Sequence, residues 1–63
     1  MKTVDISGPD GNAFVILGIA KSLSKQLELD AMVIMDEMQA GDYENLLDVF
    51  DDYFGDYVQL EGR

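Results

Sequence analysis

The groups able to do chemistry in this chain are almost all carboxylates. Thirteen aspartates and glutamates stand against four lysines and arginines, and there is neither histidine nor cysteine. Without histidine the chain lacks the commonest general base and the commonest metal ligand. Without cysteine it has no disulfide and no thiolate metal site, and secretion is not suggested. Two carboxylate pairs occur, Asp36-Glu37 and Asp51-Asp52. Acid–base catalysis wants a carboxylate perturbed by burial or by a partner, and both pairs fall on outward helix faces. Ser22 and Ser24 have no base to activate them. The expectation is a non-enzymatic protein with no catalytic residue, no cofactor and no metal.

Two loop patterns imitate ligand sites without their chemical parts. Gly8-Pro9-Asp10-Gly11-Asn12 lies between a strand and a helix, where a phosphate-cradling loop would sit. Such a loop needs free backbone N–H groups and a lysine followed by Ser or Thr. Pro9 removes a donor, Asp10 adds a repelling charge, and Ala13-Phe14 stands in the lysine's place, so a structural turn is expected. Phe50 to Glu61 places Asp52, Gly55 and Glu61 at positions 3, 6 and 12 of a calcium loop. Phe50 and Phe54 then occupy positions 1 and 5, where oxygen ligands are required. They are expected in the core instead.

The elements that must carry these groups follow from periodicity. Thr3 to Ser7 alternates apolar and polar, a half-buried strand with Val4 and Ile6 inward. Asn12 caps a first helix over residues 13–27, with Ile16, Ala20, Leu23 and Leu27 on one stripe and Ala13 and Ile19 at its edges. Asp30 caps a second helix over 31–40, with Ala31, Ile34, Met35 and Met38 inward; Gly41 is expected to end it as a left-handed C-cap. The methionines read as adaptable core filler. Asp42 caps a third helix whose apolar face is Tyr43, Leu46, Leu47, Phe50 and Phe54, and Gly55 terminates it. Tyr57 to Glu61 alternates again, with Val58 and Leu60 inward. The fold class is therefore α+β: one domain over residues 1–63, ordered β-α-α-α-β, its two short terminal strands pairing antiparallel. The most apolar run, Ala13 to Ala20, is far short of the ~20 residues a membrane span needs, and it lacks a signal peptide's basic leader.

Charge is divided unevenly. In residues 1–27, Lys2, Lys21 and Lys25 face Asp5 and Asp10, a balance of +1; residues 28–63 set eleven carboxylates against Arg63, a balance of −10, and the total is −9. So acidic a half repels nucleic acid and anionic membranes and attracts basic protein surfaces. Glu44, Asp48, Asp51 and Asp52 lie on one face of the third helix, flanked by Asp42 and Asp56. Glu44 and Asp48, four apart, cost a few tenths of a kcal/mol in repulsion, so they are not placed for stability. This acidic face is the candidate partner-binding surface, and it could imitate a row of phosphates.

The first helix carries a conflict of its own. Phe14, Val15, Gly18 and Ser22 put large apolar groups and bare backbone where solvent is expected. A mid-helix glycine costs about 1 kcal/mol relative to alanine, and Phe14 is an aromatic anchor of the kind that dominates interfaces. A chain of 63 residues owns little core, so help from self-association is expected. Phe14, Val15, Gly18 and Ser22 are the candidate contact of a homodimer.

Gly8-Pro9-Asp10-Gly11-Asn12-Ala13-Phe14, Lys25-Gln26-Leu27, Gly41-Asp42-Tyr43-Glu44-Asn45-Leu46 and Phe54-Gly55-Asp56-Tyr57-Val58 together span nearly the whole chain. In these stretches it resembles a group of short uncharacterised proteins of tailed bacteriophages and bacteria. The resemblance transfers no site residue. It implies a setting, because small acidic phage proteins often bind and inhibit host enzymes, defence nucleases among them. The expected function is a small interaction protein that binds a host protein with a basic surface, in the host cytoplasm. Two alternatives stand beside it: an acidic mimic that blocks a nucleic-acid-binding site, and an oligomer that sequesters a small ligand.

Overall fold

The computed structural model describes residues 2–63, with Asp10 described for its backbone alone. Strand β1 (Lys2–Asp5) is followed by a single 3-10 turn (Pro9–Gly11) and helix α1 (Ala13–Gln26). Helices α2 (Ala31–Met38) and α3 (Tyr43–Phe54) follow, then strand β2 (Val58–Glu61). All three expected N-caps form. Asn12 accepts from the Phe14 amide at 2.7 Å, Asp30 from Met32 and Val33 at 3.1 and 3.3 Å, and Asp42 from Asn45 at 2.9 Å. Each carboxylate or amide oxygen satisfies an N–H that the first helical turn cannot.

The strands pair, but in parallel and not antiparallel: Lys2 stands opposite Val58, Val4 opposite Leu60 and Asp5 opposite Glu61. The Ile6 amide extends the ladder to the Glu61 carbonyl at 2.9 Å. The reason lies in α3. Phe50 and Phe54 are fully buried, with ring centroids 5.2 Å apart, which anchors the C-terminal end of that helix in the core. Only Gly55, Asp56 and Tyr57 separate it from β2, so the chain enters the sheet where Phe54 leaves it, beside Lys2. The helical segment thus acts as the long crossover a parallel pair requires.

Helix ends also depart from expectation. Gly41 does not adopt the expected left-handed conformation, whereas Gly55 ends α3 as expected. Helix α2 ends at Gln39 with φ −93°, and the Asn45 side-chain amide donates to the Glu37 carbonyl at 2.9 Å, satisfying the helix end from outside. Gly41 is instead a packing glycine, for a Cβ there would lie 2.9 Å from that of Asn45. Gly55 keeps right-handed angles and prolongs the turn, its amide reaching the Asp51 carbonyl at 2.9 Å. The left-handed cap occurs at the end of α1, and on a glutamate. Glu28 has φ 59°, with Leu29 N donating to Ser24 O at 2.8 Å and Glu28 N to Lys25 O at 3.3 Å. That pair of bonds is a Schellman ending.

The core joins Val4 and Val58 of the sheet to Ile16, Leu17 and Ala20 of α1, Ile34 and Met38 of α2, and the four apolar residues Leu46, Leu47, Phe50 and Phe54 of α3. Leu23 and Leu27, expected at its centre, are half-buried at its edge. Leu17 and Ser24 are buried in their stead, the Ser24 hydroxyl donating to the Ala20 carbonyl at 2.7 Å. The body measures 28 × 27 × 17 Å, thin enough that no second layer covers the outer helix faces. No helix among the described residues is long and apolar enough to cross a membrane.

Because β2 supplies Val58 to the core and is the strand that pairs with β1, removing residues 57–63 should abolish folding. The expected result is loss of the cooperative thermal transition in far-UV circular dichroism; a truncated chain that melts like the full one contradicts the assignment.

Candidate functional site

Both imitated ligand loops are structural. Gly11 N donates to Gly8 O at 3.0 Å and Asn12 N to Pro9 O at 3.3 Å, so those two amides are already committed. Gly11 is needed because its backbone lies against Ile6; a Cβ would fall 1.9 Å from the Ile6 carbonyl oxygen. The Tyr43 hydroxyl donates to the Gly11 carbonyl, tying the turn to the start of α3. In the calcium-like stretch, Phe50 and Phe54 are core residues, as their periodicity requires.

The carboxylates distribute into three environments. Asp5 accepts from the amide and hydroxyl of Ser7 at 2.9 and 2.5 Å, and the hydroxyl bond first, then the amide bond, holds its carboxyl below the ordinary aspartate value. Glu37 accepts from the Tyr53 hydroxyl at 3.1 and 3.2 Å, joining α2 to α3; that bond, with lesser help from partial burial and nearby charge, raises the tyrosine's pKa. The third environment is the acidic face of α3, and it is not vacant. Strand β2 runs back along α3 and delivers Arg63 onto the face. Its guanidinium lies 2.6 Å from Asp51 and 3.5 Å from Glu44, and it also pairs with Asp48. The Asp48 bond, supported by the charges of Asp51 and Glu44, holds its proton above the usual arginine range against some desolvation. Asp52, the fourth member of the expected site, makes no ion pair among the described residues. Periodicity within α3 cannot reveal Arg63; the signal available was that it is the lone cation of the acidic half.

The expected contact surface on α1 is exposed. Phe14 is 81% accessible and Val15 39%; Gly18 and Ser22 also face solvent. The strands do not cover Phe14. The stripe nevertheless divides. Phe14 forms one lip of a groove of about 360 Å³ whose other lip includes Asp42 and Tyr43, with Leu17, Met38 and Leu46 beneath. Val15, Gly18 and Ser22 border a second groove of about 430 Å³, on the side of Lys2, Ile19, Leu23 and Val58. Both volumes fall within the ~300–1,000 Å³ typical of ligand sites. Met32, expected as core filler, is instead exposed, and with Val33 it adds apolar surface on α2. No group of three or more acidic side chains suited to a metal ion occurs among the described residues.

Comparison with protein-family models, with curated proteins and with solved structures finds no match.

The side chains of Glu44 and Asp48 remain 70% and 65% exposed in the Arg63 cluster, so solvent and salt screen it. Arg63→Ala should lower Tm by about 2–8 °C in dilute buffer, in line with ~0.5–1 kcal/mol for an exposed cluster. At about 1 M NaCl, where the screening length is ~3 Å, the difference should shrink by at least half. An unchanged difference in scanning calorimetry would mean that Arg63 acts by packing and not by charge.

Proposed function

We propose that this chain is a small non-catalytic interaction protein of phage type, which engages and inhibits a host protein through the exposed surface centred on Phe14. The observation that carries the reading is Phe14 itself, 81% accessible at the edge of a groove floored by buried core residues. Leaving a phenylalanine in water forgoes roughly 1.5–3 kcal/mol of burial, a large loss for a domain whose whole stability is of order 5–15 kcal/mol. Exposed anchors beside a preformed pocket are what interfaces use. The net charge of −9 gives the partner its sign, a basic surface. The phage setting rests on the resemblance described above. Phosphate mimicry is the weaker reading, because Arg63 lies across Glu44, Asp48 and Asp51.

A photo-reactive phenylalanine analogue at position 14 should cross-link a single discrete protein in a bacterial host extract. The same analogue at Gln59, on the outer face of β2, should not. Identical adducts from both positions would show indiscriminate contact and remove the proposal.

Self-association is a second reading, favoured by one observation at Gly18: nothing lies within 4 Å of a Cβ placed there. The glycine is therefore not required by the packing of its own chain, and its cost of about 1 kcal/mol in helix stability is left unexplained by the monomer. Gly18→Leu should raise thermal stability in the monomer and, if a second copy packs against Val15, Gly18 and Ser22, weaken association. Sedimentation equilibrium at micromolar concentration decides it. A wild-type mass of 7.0 kDa with no concentration dependence rules the dimer out.

A further inference from the structure

The groove between α1 and the α2–α3 corner has a composition that selects its occupant. Leu17 and Leu46 form an aliphatic floor, Phe14 offers an exposed aromatic face on one lip, and Tyr43 and Asp42 stand on the other. Tyr43 is held in place by its bond to the Gly11 carbonyl. One Asp42 oxygen caps α3 by accepting from Asn45 at 2.9 Å, while the second accepts no hydrogen bond among the described residues. Three kinds of group thus converge: a surface for methylenes, a ring for a cation, and a carboxylate oxygen.

We infer that this groove receives an arginine side chain from a basic, amphipathic segment of the partner protein. The guanidinium stacks on Phe14 and donates to Asp42, while its three methylenes lie over Leu17 and Leu46. Arginine suits the site better than lysine because its planar, weakly hydrated head both stacks on aromatic rings and pairs with carboxylates. Charge complementarity fixes the sign. Asp42 keeps one carboxylate oxygen without a hydrogen bond among the described residues and the chain as a whole carries −9, so an acidic segment is repelled there and a neutral one gains apolar contact alone. A second copy of this chain would bring the same negative charge against it. The inference rests on the proposed function and names the chemistry of its partner.

The probe is a fluorescein-labelled helical peptide of about 18 residues, roughly five turns, with leucines on one face and arginines on the other. Two controls replace the arginines by lysine and by glutamate. Fluorescence anisotropy should show binding of the arginine peptide, weaker binding of the lysine peptide and none of the glutamate peptide. Phe14→Ser should weaken binding about tenfold, as loss of a central anchor does. Asp42→Asn is the sharper variant, since asparagine is as good an N-cap as aspartate. It should leave the melting curve unchanged and still weaken binding about fivefold or more, the order expected for a charged hydrogen bond. Asp52→Asn, on the far side of α3, should change affinity less than twofold.

Equal losses from Asp42→Asn and Asp52→Asn would show diffuse charge attraction and overturn the site. So would failure of the arginine peptide to bind. A dimer that Phe14→Ser dissociates and the peptide leaves intact would assign the groove to a second copy instead. If the peptide fails while position 14 still cross-links one host protein, the interaction function stands and only its partner chemistry falls.

Discussion

The burial of Phe50 and Phe54 on α3 is the constraint on which the remaining architecture depends. Both rings are fully enclosed, and a buried aromatic contributes several kcal/mol that no neighbouring arrangement of so small a core could replace. With the end of α3 held there, three linking residues leave β2 one place to begin. Its direction, its parallel pairing with β1 and the arrival of Arg63 over Glu44, Asp48 and Asp51 all follow from that starting point. The ion-pair cluster is thus a consequence of apolar packing, and the exposed charges contribute little to holding the fold.

What was legible in the sequence was local. Asn12, Asp30 and Asp42 announce their helices because a cap depends on residues two or three positions away. The buried residues Ile34 and Met38 of α2 and Leu46, Leu47, Phe50 and Phe54 of α3 follow from a period of 3.6, though Tyr43, expected with them, is exposed. What was illegible depends on where distant segments come to rest. Strand alternation carries no information about the direction of a partner, so the parallel pairing could not be read from Thr3–Ser7 and Tyr57–Glu61. The glycine rule misled at Gly41, since Asn45 from the next helix satisfies the end of α2, whereas Gly55 does end α3. Glu28, left-handed without being a glycine, has no sequence signal.

The candidate surfaces show the same division. Phe14, Val15, Gly18 and Ser22 could be recognised as misplaced on a helical wheel, and they are solvent-facing in the fold. The wheel could not show that Phe14 borders a different groove from the other three, because α3 lies on one side of α1 and the sheet on the other. Nor could it show that the acidic face already holds a cation of its own chain. A body only 17 Å thick explains why such surfaces exist: with a single layer of helices, each has an outer side that nothing in the chain can cover.

The parallel sheet has a bearing on how the chain is made. All three helices lie between its strands, with Lys2 paired to Val58, so the β1 ladder has no partner until the helices and β2 have been synthesised. Helices form in about a microsecond, but closing a loop that contains all three of them delays the last step. A ribosome-bound chain that has not yet made β2 therefore carries an unpaired β1, with Val4 lacking its sheet partner. Such an intermediate is the one most exposed to wrong partners. The emergence of β2 decides whether the molecule closes upon itself.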